Sequence, residues 1–267
     1  MIKHMKLSII TINYNNSKGL ENTIKSIISQ DFKDYEYIVI DGGSNDSSID
    51  IIKKYSDKID YWVSEPDKGI YNAMNKGVSH AHGEYSNFMN SGDIFYNSSV
   101  LKSVFSNHYK EDIITGVTIG TDENSIRFDT EKDVTFLTLY RSTISHQASF
   151  IKTEFLRKYP YNEELKIVSD WEFWIKTLIV NNCSHVFDKN IIAKVDTTGI
   201  SVTNNEERES ERRSVLIDNI PARILKDYEP LKYADDQMIK YIAKISKTYR
   251  LHKITSFLLR TICKLIR

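Results

Sequence analysis

Two short apolar runs of this 267-residue chain each lead into an aspartate beside glycine, and this arrangement most constrains the fold. Asp41 follows the apolar run 35–40 and precedes two glycines, whereas Asp93 closes the turn Asn90-Ser91-Gly92-Asp93 after the run 85–89. A strand that ends in a lone carboxylate and a flexible turn is how an open α/β sheet builds a nucleotide or metal site. We therefore predict an α/β protein with a site at one edge of its sheet.

The spacing of apolar residues predicts a first β-α-β unit. The runs 7–12 and 35–40 are rich in β-branched residues without strict alternation, which is typical of parallel strands covered on both faces. Between them, apolar residues recur at the spacing of one helix face, at Leu20, Ile24, Ile27 and Ile28. Such a unit crosses over right-handed, so we expect the two strands to lie in one sheet.

The rest of the first hundred residues continues this alternation. We predict a helix that Ser47 caps with Asp50 three residues on, a strand over 60–64, a helix that stops near Gly83 and a strand over 85–89. Together these elements form a three-layer arrangement of helices on a mainly parallel sheet.

The second half of the chain is less regular. At its centre we predict a helix that begins with a capping box, in which Ser169 caps and Glu172 returns a hydrogen bond. The predicted elements, in order, are strands over 113–119 and 147–151, the helix over 170–180, a mobile polar loop over 200–215, and one or two helices over 235–267.

Charge is divided unevenly although the net charge is zero. Eight Lys and Arg and no Asp or Glu follow Asp236, which leaves 28 basic against 36 acidic residues in 1–236. Such a basic tail favours an anionic surface, whether lipid, nucleic acid or the acidic body itself. The body's acidic excess argues against nucleic acid as a partner.

Three aspartates are candidates for chemistry, and each also has an ordinary structural explanation. Asp41 could accept a hydrogen bond from a base or ribose, and Asp93 suits Mg²⁺ or Mn²⁺, but both lie in typical turn sequences. Asp170, in the first turn of a helix, is stabilised as an anion and could accept a hydroxyl proton. His146 and Gln147 could line a pocket, although a lone histidine is more often structural.

Several enzyme classes lack their sequence patterns here. The chain has no Gly-x-Gly-x-x-Gly, no phosphate loop, no nucleophile elbow and no zinc-ligand spacing, which argues against dehydrogenases, nucleoside triphosphatases, serine hydrolases and zinc enzymes. Its two cysteines, Cys183 and Cys263, form no disulfide framework, so a reducing compartment is expected.

Four segments occur in a fixed order: SIITINYN at 8–15, IVIDGGSND at 38–46, EPDKGIYNAMNKG at 65–77 and NSGD at 90–93. In order and spacing they resemble family 2 of the inverting glycosyltransferases, which have the GT-A fold. The resemblance is strong over residues 5–100, looser to about residue 180, and absent beyond about residue 215. The sequence departs from the family pattern at two places. Asn90 or Ser91 stands at the first acidic position of the metal motif, and Met74 stands where many relatives carry arginine.

The resemblance implies a nucleotide-sugar donor, usually a UDP-sugar, and a divalent cation, Mn²⁺ or Mg²⁺. It implies that Asp93 is the metal ligand and that Asp170 is the catalytic base, beside an acceptor pocket for which His146, Gln147 and Trp171 are candidates. The positions assigned to the nucleotide sugar are Asn13, Tyr14, Asp41, Asp67, Asn75 and Ser91.

The same resemblance suggests how the chain is organised. Residues 1–110 would be the nucleotide-sugar-binding half and 111–215 the acceptor-binding and catalytic half of the same domain. Beyond the resemblance, the charge and apolar spacing of 216–267 predict a basic amphipathic helical extension. In the tail, Ile254, Phe257 and Leu258 belong to an apolar stripe flanked by basic residues, which suits an anionic membrane as well as packing on the body.

The resemblance implies an enzyme of bacterial surface polysaccharide synthesis that acts on a glycan or polyprenyl-linked acceptor. We expect it to be cytoplasmic, and at the inner membrane if the tail binds lipid. Two other functions stay open: a non-catalytic nucleotide-sugar-binding or scaffolding protein, and a sugar-phosphate nucleotidyltransferase. The second would need an early glycine-rich loop with arginine and lysine, which is not seen near 13–19. The sequence leaves the oligomeric state open, a homo-oligomer included.

Overall fold

A mixed sheet forms the centre of the first of two units, Met1–Ile220 and Pro221–Arg267, into which the chain divides. The computed structural model describes residues 5–120, 127–128, 134–196, 204–232, 234 and 236–265. Nine strands lie within these ranges: β1 Leu7–Asn13, β2 Tyr35–Asp41, β3 Tyr61–Ser64, β4 Tyr85–Phe88, β5 Ile94–Phe95, β6 Ile113–Gly120, β7 Arg127–Phe128, β8 Ser149–Lys152 and β9 His185–Val195.

The strand order is β3-β2-β1-β4-β8-β6-β9-β5, with β7 paired to β6. Strands β1 to β4 are mutually parallel, and β8 inserts antiparallel between β4 and β6. Helices connect the strands: α1 Ser17–Ile28, α2 Ser48–Lys54, α3 Ile70–Ser79, α4 Val100–Phe105, α5 Phe136–Arg141, α6 Thr153–Lys158, α7 Ser169–Trp174 and α8 Asn205–Asn219. The predicted α/β arrangement with a mainly parallel sheet is confirmed.

The core explains why the first half follows its sequence pattern so closely. All seven residues of β1 are buried, and the predicted helix face of α1 covers the sheet through Leu20, Ile24 and Ile27. Burying one such side chain fully contributes roughly 1.5–3 kcal/mol. The β1–β2 register ends with Asn13 opposite Asp41, so the core fixes where the polar strand ends meet.

The predicted polar loop over 200–215 is wrong for its described part, because residues from Asn205 onward belong to helix α8. The side chain of Asn204 caps this helix by accepting from the N–H of Glu207. Glu and Arg are good helix formers, and only Val215 of the helix is fully buried, so no apolar stripe marked it. Residues 200–203 lie outside the described residues.

The predicted capping box at α7 is also wrong. Ser169 lies inside the helix and its hydroxyl accepts from the N–H of Asn162 at 2.6 Å, while Glu172 pairs with Lys176 at 2.9 Å. Beyond Trp174 the helix continues as the π-helical turn Ile175–Val180. The side chains of the predicted box therefore serve tertiary contacts instead of the helix end.

Three predicted boundaries shift. Residues 146–148 form a 3₁₀ turn, so β8 begins at Ser149. At α2, Ser47 makes no side-chain cap; instead Asp46 accepts from the N–H of Ser48. Helix α3 ends at Ser79, before the predicted stop at Gly83.

The unit Pro221–Arg267 is helical. It contains α9 Ala222–Tyr228, a 3₁₀ turn Glu229–Leu231, α10 Asp236–Ser246 and α11 Tyr249–Leu265. On α11 the side chains of Ile254, Phe257 and Leu258 are exposed, Phe257 to 71%. Across the described residues, no helix combines the length and apolar character needed to cross a membrane.

Candidate active site

The carboxyl ends of β1, β2 and β4 bring the polar turns together. Because these strands are parallel neighbours, Asn13, Asp41 and the turn 90–93 lie along one edge of the sheet. The backbone continues this alignment, since the N–H of Ser91 donates to the carbonyl of Ile12 at 3.1 Å. The side-chain amide of Asn16 donates to the Ser91 carbonyl at 3.1 Å, which ties the turn to the start of α1.

Asp41 is fully buried and takes four hydrogen bonds from the protein. Its Oδ1 accepts from the side chains of Asn13 at 2.7 Å and Ser44 at 2.6 Å. Its Oδ2 accepts from the Ser44 N–H at 2.9 Å and the Ser64 hydroxyl at 2.6 Å. Burial alone would raise the pKa of Asp41, but the bonds from Ser44, Ser64 and Asn13 outweigh it, so the pKa lies below its usual value. Asp41 is thus ionised at neutral pH, and its hydrogen bonds connect the ends of β1, β2 and β3.

The side chains of Tyr14 and Asp67 both lie close to Gly42. A Cβ atom added at Gly42 would come within 2.4 Å of Asp67 Oδ2 and 3.3 Å of Tyr14 Cδ2. The Tyr14 side chain is 66% exposed, so its ring is open to a ligand. An aromatic ring and a carboxylate with bare backbone between them suit a flat, hydrogen-bonding group such as a nucleobase.

Asn75 holds a segment of the second half against α3. Its amide donates to the Tyr161 carbonyl and to Glu163 Oε1, both at 2.9 Å, and its Oδ1 accepts from the Tyr161 N–H at 3.0 Å. All three contacts are with protein groups. Asn75 therefore joins α3 to the segment that precedes α7. These hydrogen bonds go to Tyr161 and Glu163 and not to Tyr14 or Asp67.

The turn Asn90-Ser91-Gly92-Asp93 is shaped by one hydroxyl of helix α1. Thr23 Oγ1 lies 2.7 Å from the Asp93 carbonyl and 3.3 Å from the Asn90 carbonyl, and it accepts from the Gly92 N–H at 3.0 Å. Gly92 has a φ of 106°, a conformation that favours glycine. Thr23 thus adds three contacts from helix α1 to a turn that is also closed by the hydrogen bond from the Asp93 N–H to the Asn90 carbonyl, at 2.9 Å.

Asp93 is only 5% exposed, yet it receives just two hydrogen bonds from the part of the chain that the structure describes. The Asp196 N–H donates to Oδ1 at 2.9 Å and the Gln147 side chain donates to Oδ2 at 3.0 Å. Burial raises the pKa of Asp93 above its usual value, against the lowering effect of these two bonds. Each carboxylate oxygen keeps one lone pair free of a protein donor.

A cation would fit Asp93 as a single protein ligand. Among the described residues, no group of three or more His, Cys, Asp or Glu is placed to share a metal ion. Mg²⁺ and similar ions need only one or two carboxylates when waters and substrate phosphates complete the shell. A buried carboxylate with few donors is stabilised by a cation, so the donor set of Asp93 agrees with that role.

Asp170 lies in the first turn of α7 and is held by three groups. Its Oδ1 accepts from the Trp171 N–H at 2.8 Å and lies 3.2 Å from the Tyr71 hydroxyl. Its Oδ2 lies 3.1 Å from His146 Nδ1. The carboxylate has defined partners on both oxygens and remains partly exposed, at 17%.

The dipeptide His146-Gln147 joins the two acidic groups. His146 contacts Asp170 through Nδ1 and the amide of Asn90 through Nε2, at 3.1 Å each, while Gln147 donates to Asp93. If the Asn90 amide donates to Nε2, the imidazole carries its proton on Nδ1 and donates to Asp170. These adjacent residues therefore connect the carboxylate of α7 with the turn after β4.

Trp171 is buried instead of lining open space. Its indole N–H donates to the carbonyls of Leu139 at 2.8 Å and Ser142 at 3.1 Å, and the guanidinium of Arg212 lies over the ring. Trp171 therefore supports the helix that carries Asp170.

The motifs did not reveal every residue of this site. Ser64 ends β3 as Asp41 ends β2, and this position at a strand end was the only feature of the sequence that indicated a role for Ser64. Thr23 lies outside the motifs, and its partners are 67 or more residues away in sequence. Tyr71 and Asn90 lie inside them, but their contacts with Ile167 and His146, 96 and 56 residues away, have no signal in the sequence. Only the folded chain brings these groups together.

Known proteins resemble this chain over most of its length. The family model described as "Glycosyl transferase family 2" matches residues 8–164. An uncharacterized glycosyltransferase of Mycobacterium tuberculosis is 31% identical over 201 residues, which are 73% of this chain and 76% of the relative. A PGL/p-HBAD biosynthesis glycosyltransferase of Mycobacterium bovis is 30% identical over 176 residues, which are 63% of this chain and 68% of the relative.

Solved structures share the fold at lower identity. Staphylococcus aureus TarS 1-349 in complex with UDP-GlcNAc has a TM-score of 0.66 at 19% identity, covering 92% of this chain and 81% of that chain. In another TarS crystal structure the match spans only 39% of that longer chain. The mannosyltransferase PcManGT from Pyrobaculum calidifontis, in complex with GDP-Man and Mn²⁺, has a TM-score of 0.61 at 14% identity, covering 99% and 81%.

The family model covers more than half of the chain, and the strand-end motifs lie where the sheet brings them together. The chain has the GT-A fold and belongs to glycosyl transferase family 2.

Proposed function

We propose that this glycosyltransferase is an inverting enzyme that transfers a sugar from a nucleotide-sugar donor, a UDP-sugar, to a hydroxyl of a glycan or lipid-linked glycan. The observation that carries the proposal is the connection of Asp170 to the turn of Asp93 through His146 and Gln147. It places the partly exposed carboxylate of Asp170 and the buried carboxylate of Asp93, which has few donors, within one hydrogen-bonded group of side chains. A base and a diphosphate-binding site need to be neighbours in this way.

In the proposed reaction Asp170 accepts the proton of the acceptor hydroxyl through Oδ2, while Oδ1 stays bonded to the Trp171 N–H. The acceptor oxygen forms a bond to the anomeric carbon, the bond from that carbon to the diphosphate oxygen breaks, and the nucleoside diphosphate leaves with the electron pair. A single displacement of this kind inverts the anomeric centre. General-base assistance of this type contributes typically about 10²- to 10⁴-fold in rate.

A divalent cation, Mn²⁺ or Mg²⁺, is part of the proposal, with Asp93 as its ligand. When bound, it would neutralise charge on the diphosphate that departs. Gln147 and the Asp196 N–H hold the carboxylate of Asp93 in place and leave lone pairs available. The Mn²⁺ complex of PcManGT supports this part of the proposal.

We assign the donor's base to the space between Tyr14 and Asp67 beside Gly42. This donor site is supported indirectly by Asp41, Asn13 and Ser91. Asn13 donates to Asp41, and Asn16 donates to the Ser91 carbonyl. Asn75 would act by holding α3 to the segment over 161–163. The UDP-GlcNAc complex of TarS and the GDP-Man complex of PcManGT support a nucleotide-sugar donor.

The test is a comparison of Asp170→Asn with the parent. We expect Asp170→Asn to bind UDP with unchanged affinity and to lose at least about 10²-fold in sugar transfer, because it lacks the base. Glu172→Gln is the matched control, since it lies on the same helix and contacts Lys176 instead of the site. Equal turnover by Asp170→Asn and the parent would refute the assigned base.

A ligand panel separates the enzyme from a non-catalytic binding protein. Thermal shifts with UDP-, GDP- and dTDP-sugars, each with and without Mn²⁺, should show stabilisation by one nucleotide class, stronger with the cation. Binding without any turnover of donor would favour the scaffolding function. No stabilisation by any donor would contradict the whole proposal.

We further propose that the enzyme acts in bacterial surface polysaccharide synthesis on the cytoplasmic face of the membrane. The relative named for PGL/p-HBAD biosynthesis and the exposed apolar side chains of α11 beside the basic residues Lys253 and Arg260 support it. Flotation with anionic vesicles should recover the full chain and lose a variant that lacks residues 235–267. Equal recovery of both would contradict membrane binding by this segment.

A further inference from the structure

Helix α8 holds the segment 166–168, which leads directly into α7. The carboxylate of Glu211 accepts from three consecutive backbone amides: from Lys166 at 2.7 Å through Oε1, and from Ile167 at 3.0 Å and Val168 at 3.2 Å through Oε2. Hydrogen bonds to a carboxylate are stronger than those between neutral groups. Three successive N–H groups on one acidic side chain leave this backbone little freedom.

The same segment is held from the opposite side by α3. The hydroxyl of Tyr71 donates to the carbonyl of Ile167 at 2.7 Å and lies 3.2 Å from Asp170 Oδ1. Ile167 therefore has its N–H on Glu211 and its carbonyl on Tyr71. A shift of this residue would move the contact between Tyr71 and Asp170 as well.

Arg212, the next residue of α8, supports the far side of Asp170. Its guanidinium donates to the carbonyls of Leu139 at 2.9 Å and Ser142 at 3.1 Å and lies 4.4 Å from the ring centroid of Trp171. The Trp171 indole donates to the same two carbonyls. Adjacent residues of α8 thus fix the backbone before Asp170 and the side chain after it.

We propose that α8 positions the carboxylate of Asp170, and that Glu211 is the positioning residue through which it acts. The inference rests on the proposed role of Asp170 as the base. Glu211 reaches Asp170 only through the backbone, two residues before it. Displacement of a catalytic group by about 1 Å can cost about 10²-fold in rate, so small movements at the start of α7 matter.

Glu211→Gln tests the inference with little change of shape. Its side-chain NH₂ would face a backbone N–H, so at least one of the three bonds is lost. We expect kcat for sugar transfer to fall about 10- to 100-fold, with the donor KM and the affinity for UDP unchanged. Glu207→Gln is the matched control, because Glu207 lies one turn earlier on α8 and contacts only the side chain of Lys166 in this segment.

The Asp170→Asn background separates positioning from general stability. If Glu211 acts through the base, adding Glu211→Gln to Asp170→Asn should lower the residual donor turnover by less than about twofold, because the carboxylate that it positions is already absent and the two effects are not additive. An equal fold-loss in both backgrounds would overturn the inference, as would a Glu211→Gln enzyme as active as Glu207→Gln. Parent-like activity of Asp170→Asn alone would instead refute the proposed function.

A second variant covers the case in which Glu211→Gln does not fold. Arg212→Lys keeps the charge but loses the planar fork that reaches several carbonyls. It should lower kcat without changing the donor KM, and should again have little effect on Asp170→Asn. A change in the donor KM with kcat unchanged would overturn the inference.

Discussion

Asp41 and Asp93 follow neighbouring parts of one sheet and have almost no exposed surface, yet their pKa values are shifted in opposite directions. Asp41 receives four hydrogen bonds and has a lowered pKa, whereas Asp93 receives two and has a raised pKa. Burial is the largest single influence on both. Asp93 lies in the more strongly desolvating environment and also has fewer donors, so both differences act in the same direction on its pKa.

This difference assigns the two residues to different tasks. A carboxylate that the protein fully satisfies organises structure and gains little from a ligand. A carboxylate that is buried with few donors is stabilised by an added cation. The first expectation concerns folding and the second concerns ligand binding, so the two can be tested separately.

Asp41→Asn should give the largest effect. The Asn NH₂ would face groups that now donate to Asp41, so buried donors lose their acceptor, at a cost of about 3 kcal/mol in unfolding free energy. Urea unfolding at pH 7 measures it. Asp57→Asn, at an exposed site, is the control and should change stability by less than about 0.5 kcal/mol. If Asp41→Asn lowers the free energy of unfolding by less than about 1 kcal/mol, Asp41 does not have the structural role that separates it from Asp93.

Asp93→Asn should affect activity more than stability. We expect about a 10²-fold loss of kcat/KM in the presence of Mn²⁺, equivalent to about 2.7 kcal/mol, and loss of stimulation by the cation. Titration of Mn²⁺ into parent and variant, with sugar transfer as the readout, measures both. Unchanged cation stimulation in the variant would show that Asp93 is not the ligand.

The pH dependence of stability should have opposite signs at the two sites. The lowered pKa of Asp41 adds stability that is present above its unfolded pKa and is lost as the pH falls through the folded value. The raised pKa of Asp93 adds stability that is present below its unfolded pKa and is lost as the pH rises through the folded value.

Unfolding of the parent and both variants from pH 3 to pH 7, without divalent cation, measures this. The deficit of Asp41→Asn relative to the parent should grow as the pH rises, and that of Asp93→Asn should shrink. Parallel curves for the two variants would contradict the assigned directions.

Ser64→Ala should give the smallest effect, because it removes one of four donors to Asp41. We expect a loss of about 1 kcal/mol at pH 7 and a pKa of Asp41 closer to its usual value. Ser79→Ala, which removes an exposed hydroxyl, serves as the control. If both variants unfold alike, the Ser64 bond contributes nothing to the state of Asp41.

The sequence predicted the elements whose burial follows a simple period. Strands β1 and β2 and helix α1 are largely apolar where the core covers them, so their apolar pattern was enough to locate them. Helix α8 was missed because its contacts are made by charged side chains. Glu211 and Arg212 bind backbone groups more than 40 residues away in sequence, and no local pattern records that.

The candidate residues of the site could be predicted from the sequence, but the hydrogen bonds that connect them could not. Motif order identified Asp41, Asp93 and Asp170 as candidates, and their assigned roles stay predictions. The link from Asp170 through His146 to Asn90 depends on where β8 enters the sheet, between β4 and β6. Strand order of that kind is a property of the whole fold.

Thr23 sets a limit on how the turn at 90–93 could be used elsewhere. The turn closes with its own bond from the Asp93 N–H to the Asn90 carbonyl, but one hydroxyl on α1 also contacts two of its carbonyls and one of its amides. If Asn-Ser-Gly-Asp were grafted into another scaffold, the four residues would lose the contacts that Thr23 makes with their backbone. The transferable unit is the turn together with the helix that lies under it, and a redesign of this enzyme would have to move both.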